Sequence, residues 1–164
     1  MIIEVKPTVD YRVRTLCAMP YRGHSRGCPN LNRRRTCPPD AGLFDVAFDL
    51  SQPVYAVVVA FSLEQHVETM RERHPSWSER QLRCCLYWQG SVRKALRAEA
   101  KRFLTEHPYY RLTMCPEAMG VNVTDTMRNA GIILEWPPER IVFQIAMAGI
   151  LASDDQVSSG TPPC

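Results

Sequence analysis

The amino-acid sequence predicts an α/β (α+β) fold: a small mixed sheet, about three helices, and a cysteine- and proline-rich N-terminal loop. Three observations predict it. Residues 54–61, Val-Tyr-Ala-Val-Val-Val-Ala-Phe, form a β-branched, almost wholly apolar run of strand length. Residues 62–106 carry apolar side chains near helical spacing with polar caps before them. Residues 15–53 follow neither a two-residue nor a 3.6-residue period and are punctuated by Pro20, Pro29, Pro38, Pro39 and Pro53 and by Gly23, Gly27 and Gly42.

The 54–61 strand reads as covered on both faces, because no polar residue alternates through it. Ser62 then supplies an N-cap, with Gln65 three residues on as its capping-box partner, for a helix running to about Arg73, before Pro75. Ser76 or Ser78 starts a second, longer helix to about Glu106, with a weak point at Gly90 and an apolar face of Leu82, Leu86, Val92, Leu96 and Phe103. Tyr109 to Met114 reads as a strand, and Asn122 to Ala130 as a short helix stopped by Gly131. The segments 133–136 (ILEW) and 141–150 read as two further strands separated by the Pro137-Pro138 turn. The expected organisation is a single domain over 1–152, made of a loop region at 15–53 and an α/β core at 54–152, followed by a disordered tail at 153–164.

Composition bounds the function. With 164 residues, 45% of them hydrophobic and 23% charged, the chain can bury a core of its own without disulfides. Twenty basic against 17 acidic residues give a formal net charge of +3, too mild to announce a nucleic-acid binder. The start, MIIEVKPTVDYRVR, places Glu4 and Lys6 where an export signal needs an apolar run, and no stretch reaches the length of a membrane span. A cytoplasmic location is therefore expected, with no membrane partner. Nucleophile-elbow, phosphate-loop, dinucleotide and zinc-protease motifs are all lacking. His66, His74 and His107 fall on or at the ends of helices, where capping or surface roles suffice.

The chemistry concentrates in the loop CAMPYRGHSRGCPNLNRRRTCPP, residues 17–39. In a reducing compartment, clustered thiols are metal ligands or catalytic groups more often than disulfides. Three of the seven cysteines precede proline, at Cys28-Pro29, Cys37-Pro38 and Cys115-Pro116, where composition alone would give less than one such pair. Cys-Pro also ends the bacterial ferredoxin run, and proline stiffens the turn that presents a thiolate while removing an N–H. Cys17, Cys28 and Cys37 are the candidate ligands, with Cys115, at the end of a strand, as the fourth. The all-cysteine set favours an iron–sulfur cluster of the [4Fe-4S] type, with zinc as the alternative and His24 as a possible completion of a Cys₃His site. If Cys115 does not reach, three thiolates leave one iron open to a substrate atom.

Cys84 and Cys85 are expected side by side on a helix, one of them in the core, and Cys164 in the tail; all three stay outside the ligand set. Arg33, Arg34 and Arg35, thickened by Tyr21, Arg22 and Arg26, are candidates for offsetting the charge of a thiolate cluster or for holding an anionic or nucleotide-like partner. Tyr21 could stack a base, but one tyrosine is thin support for nucleic acid. A protein redox partner is the other candidate, and a non-enzymatic module stapled by zinc or a closed cluster is the alternative to redox or sulfur chemistry.

Two stretches carry a resemblance: CAMPY, GCPN and CPP between 17 and 39, and CPEAMGVNVTDTMRNAGIILEW at 115–136. They resemble a family of uncharacterised prokaryotic proteins described as predicted metal-binding proteins. The resemblance implies that the cysteines bind a metal or an iron–sulfur cluster. It also marks a departure, since this sequence lacks the separate ferredoxin-like run of closely spaced cysteines found in many such proteins, which counts against an electron-relay role and leaves a single site.

Overall fold

A computed structural model describes residues 1–20 and 25–153. Four strands form one sheet in the order β1-β2-β4-β3, every neighbouring pair antiparallel: β1 (Ile2–Val5), β2 (Val54–Ser62), β3 (Tyr110–Thr113) and β4 (Ile141–Ile150). The sheet is therefore antiparallel and not mixed. The long β2–β4 ladder is its spine, with Tyr55 opposite Ala148 and Ser62 opposite Ile141.

Five α-helices accompany it: α1 (Phe44–Ala47), α2 (Leu63–Arg73), α3 (Glu79–Leu82), α4 (Gln89–Glu106) and α5 (Val123–Asn129). Alternation along β2 explains its uninterrupted apolar composition. Val54, Ala56 and Val58 face a core with Phe44, Phe48, Val123 and Met127, while Val57 faces Leu96 and Phe103 of α4. Both faces of β2 are covered, as its sequence predicts.

The caps act where the sequence places them. Ser62 Oγ accepts the Gln65 N–H at 3.2 Å, the Ser78 N–H donates to Gln81 Oε1 at 2.9 Å, and Asn122 Oδ1 accepts the Asp125 N–H at 3.0 Å. Gly131, at φ +82°, follows α5 in the left-handed conformation that ends helices.

Several expectations are corrected. The count of about three helices becomes five, because α1 lies in the stretch that has no apolar period and the long helix is broken. The break is not at Gly90, which lies inside α4, but at Arg83–Trp88, where Trp88 is pulled inward to stack on Phe61 with ring centroids 5.2 Å apart. Leu86 consequently leaves the apolar face and is 84% exposed. Cys84 and Cys85 sit in this break, Cys84 partly buried and Cys85 exposed, and neither belongs to the core.

The 133–136 segment is not a strand. β3 covers one edge of β4 only at Met147–Ile150, and the 133–136 segment does not pair with the edge left beside Ile141–Ala146. Instead Glu135 folds back and accepts backbone N–H groups of Arg140 at 2.9 Å and Glu139 at 3.2 Å, while Ile133 and Trp136 stand 77% and 72% exposed. Two elements that the sequence reading omits, β1 and a 3₁₀ turn over Tyr11–Cys17, bring the N-terminal segment onto the sheet.

Candidate metal centre

Cys17 ends the 3₁₀ turn Tyr11–Cys17, which starts at Asp10, whose carboxylate accepts the Arg12 N–H at 3.1 Å. From there the chain doubles back, and the Cys28 N–H donates to the Cys17 carbonyl at 2.8 Å. Gly27 makes this approach possible. It has φ +77°, and a Cβ at that position would stand 2.7 Å from the Cys17 carbonyl oxygen and 2.8 Å from Ala18.

A series of short turns then carries the chain to Cys37. The Leu31 N–H donates to the Cys28 carbonyl at 3.1 Å, the Cys37 N–H to Arg34 at 2.9 Å, and the Ala41 N–H to Cys37 at 2.9 Å. Pro38 and Ala41 are buried, and Phe44 and Phe48 anchor the segment in the main core. Arg14 ties the two halves of the loop together by donating to the Ala41 carbonyl at 2.9 Å and the Pro39 carbonyl at 3.3 Å.

Cys115 arrives from the far end of the sequence. It follows β3 and precedes the 3₁₀ turn Pro116–Met119, and its N–H donates to Thr113 Oγ1 at 3.3 Å. That turn packs against the Tyr11–Cys17 turn: the Asp10 N–H donates to the Gly120 carbonyl at 2.8 Å. Gly120 has φ +90°, and a Cβ there would stand 2.8 Å from Tyr11 Cδ1. Tyr11 in turn donates from its hydroxyl to Asp45 Oδ2 at 2.5 Å, which fixes the ring against α1.

Backbone hydrogen bonds thus tie Cys28 to Cys17, and the turn that ends at Cys17 to the turn that follows Cys115. The thiols feel one another electrostatically. Burial pushes the Cys17 thiol up, and Cys28, Cys37 and Glu117 add to the shift against Arg14. Burial likewise pushes Cys115 up, with Cys37 and Glu117 adding to it and Arg93 and Arg34 opposing it. All four are free thiols, partly buried. Among the described residues, no three His, Cys, Asp or Glu side chains stand close enough to share one metal ion.

A cavity of about 340 Å³ opens onto Cys37 and Cys115. Arg34 lines it, whereas Arg33 lines a separate recess with Cys28, and Arg35 lines neither. Tyr21, Arg22 and His24, named from the sequence, lie outside the described residues, as does Cys164. Glu117 stands where this cavity meets an apolar groove. Protein crowds its carboxyl and pushes it above the usual carboxylate range, but water still reaches it, so it is an open group at a crowded floor and not a buried one.

Sequence reasoning missed Arg14, Glu117, Arg93 and Arg97. The last two carried a signal, since residues four apart on α4 share a face. What that face looks onto depends on where the 30–37 loop folds, which no local pattern encodes. No helix among the described residues is long and apolar enough to cross a membrane. Compared with family models, with curated proteins and with solved structures, this chain matches none, and the resemblance carried by residues 17–39 and 115–136 gains no support from them.

Proposed function

We propose that the chain binds an iron–sulfur cluster of the [4Fe-4S] type through Cys17, Cys28, Cys37 and Cys115, and uses it in redox or sulfur chemistry on a small anionic partner. The observation that carries the reading is that backbone hydrogen bonds tie Cys28 to Cys17 and the turn ending at Cys17 to the turn after Cys115, while Cys37 and Cys115 line one cavity. A single zinc ion draws its sulfurs to within about 4 Å of one another. A cluster interposes its own iron and sulfide atoms and so spans thiolates set wider apart. The cavity at Cys37 and Cys115 gives a small molecule a route to that end of the protein.

One observation favours the alternative of a zinc- or cluster-stapled binding module. Cys115 lies within the field of Cys37, and a fourth thiolate closes the coordination and removes the open position that substrate chemistry needs. Anaerobic purification separates the cluster from the zinc staple. A brown protein with broad absorbance near about 400 nm and equal iron and sulfide supports the cluster. Colourless protein with one equivalent of zinc establishes the staple instead, and protein that takes up neither metal overturns both.

A further inference from the structure

Six of the 16 described arginines have a carboxylate to hand. Arg12 pairs with Asp10, Arg71 and Arg83 with Glu79, Arg102 with Glu99, Arg128 with Asp125 and Arg140 with Glu135. Three that line the cavity beside Cys115 do not. Arg93 and Arg97 reach it from successive turns of α4, and Arg34 faces them from the loop. None of these three pairs with a carboxylate among the described residues. Like charges four apart on a helix destabilise it, and a third opposite them adds to the repulsion. The carboxylate in the cavity wall is Glu117, and three guanidiniums against one carboxylate leave the wall positive whatever charge Glu117 carries.

The rest of the lining gives the shape of the missing partner. Leu96, Phe143 and Ile145 supply an apolar side, and Gln144 an uncharged hydrogen-bonding group. The volume of about 340 Å³ lies at the lower end of small-ligand sites. A carboxylate has two oxygens and satisfies one guanidinium fork well. A phosphomonoester has three terminal oxygens and up to two charges, enough to engage three forks.

We infer that this cavity binds a phosphomonoester of mononucleotide size, its phosphate held by Arg34, Arg93 and Arg97 and its organic body lying over Leu96, Phe143 and Ile145. The ligand's reactive part then lies beside Cys37 and Cys115. The inference rests on the proposed cluster for the role of the ligand, but not for its binding.

The test is calorimetric titration of the full chain with adenosine 5′-monophosphate, ribose 5-phosphate, inorganic phosphate, succinate and adenosine, with metal content measured on the same sample. Binding of the two phosphomonoesters with Kd of about 1 mM or tighter, falling as salt is raised, and no binding of adenosine is the expected result. Arg93→Gln and Arg97→Gln each weaken that binding by ~10-fold or more, Arg93→Lys weakens it less, and Arg35→Gln leaves it unchanged. The substituted arginines are exposed, so helix content by circular dichroism stays that of the parent. Adenosine binding as tightly as its monophosphate, succinate binding as tightly as either phosphomonoester, or unchanged affinity in both glutamine variants overturns the inference. Because metal is read separately, phosphate binding to metal-free protein refutes the cluster alone, and a loaded cluster without phosphate binding refutes the cavity assignment alone.

Discussion

Glu135 shows how much one side chain can organise where no strand forms. Its carboxylate accepts backbone N–H groups of Arg140 and Glu139 and the Arg140 guanidinium, and together these hold its pKa at about 2. A carboxyl held lower in the folded than in the unfolded state stabilises the fold above its unfolded value, near 4.5, and loses that contribution as pH falls toward about 2. The group is open to solvent, so the effect is modest. Thermal melts across this acid range are expected to show the parent losing stability, and Glu135→Gln losing less of it from an already lower starting Tm. Parallel acid profiles for the two proteins would remove this role. Gly120 and Gly131 allow a sharper comparison, since both have positive φ but only Gly120 is crowded, by the Tyr11 ring at 2.8 Å. Gly131→Ala is expected to cost about 1 kcal/mol from backbone strain, whereas Gly120→Ala costs about 2–3 kcal/mol, because the two 3₁₀ turns must also separate. Chemical denaturation measures both. Equal losses would mean that the Tyr11 contact does nothing.

At the scale of elements, what the sequence disclosed and what it hid divide along a physical line. β2, α2, β4 and α5 were legible because their apolar runs and their caps at Ser62 and Asn122 are local signals acting within a few residues. The break before α4 was hidden because Trp88 answers to Phe61, a partner 27 positions away. The 133–136 segment misled for the complementary reason. Its composition suits a strand, but Glu135 turns back onto the Glu139 and Arg140 backbone N–H groups, a contact that composition does not announce. The candidate centre was legible in residue type and obscure in assembly: Cys28-Pro29, Cys37-Pro38 and Cys115-Pro116 marked themselves, whereas the tie that Arg14 makes between their elements has no signature. Arg14 joins the Tyr11–Cys17 turn to the Pro39 and Ala41 carbonyls, which follow Cys37 in the chain. Arg14→Gln is expected to lower stability by about 1–2 kcal/mol and metal affinity by ~10–100-fold, the usual effect of a group that orients ligands without touching the metal. Chelator competition reads the affinity. An unchanged affinity with lowered stability would reduce Arg14 to a structural tie.

Over the whole molecule, Cys17, Cys28, Cys37 and Cys115 are only partly buried and belong to none of the buried clusters. The three buried clusters are built from the sheet, the helices and the Phe44–Phe48 segment, in which the two rings lie 4.6 Å apart. An ordered metal is therefore not needed to form the sheet, nor to place residues 38–48, which have their own apolar anchor. Among the described residues between Cys17 and Cys37 the situation differs: Leu31 is only partly buried and Arg26, Arg33, Arg34 and Arg35 are exposed, so little apolar burial holds them. Metal binding at the proposed site would then stabilise this loop above all, by the same linkage through which any ligand stabilises the state that binds it. Trypsin is a direct reporter, since Arg26, Arg33, Arg34 and Arg35 are exposed within the loop. Metal-loaded protein is expected to be cut there at least ~10-fold more slowly than chelated protein, because cleavage follows the population of the opened loop. The far-ultraviolet circular dichroism of the sheet and helices stays the same in both. First cuts elsewhere, or equal rates with and without metal, would show that the loop holds its form without an inorganic centre; loss of the dichroism on chelation would show that the metal supports the whole fold and not one margin of it.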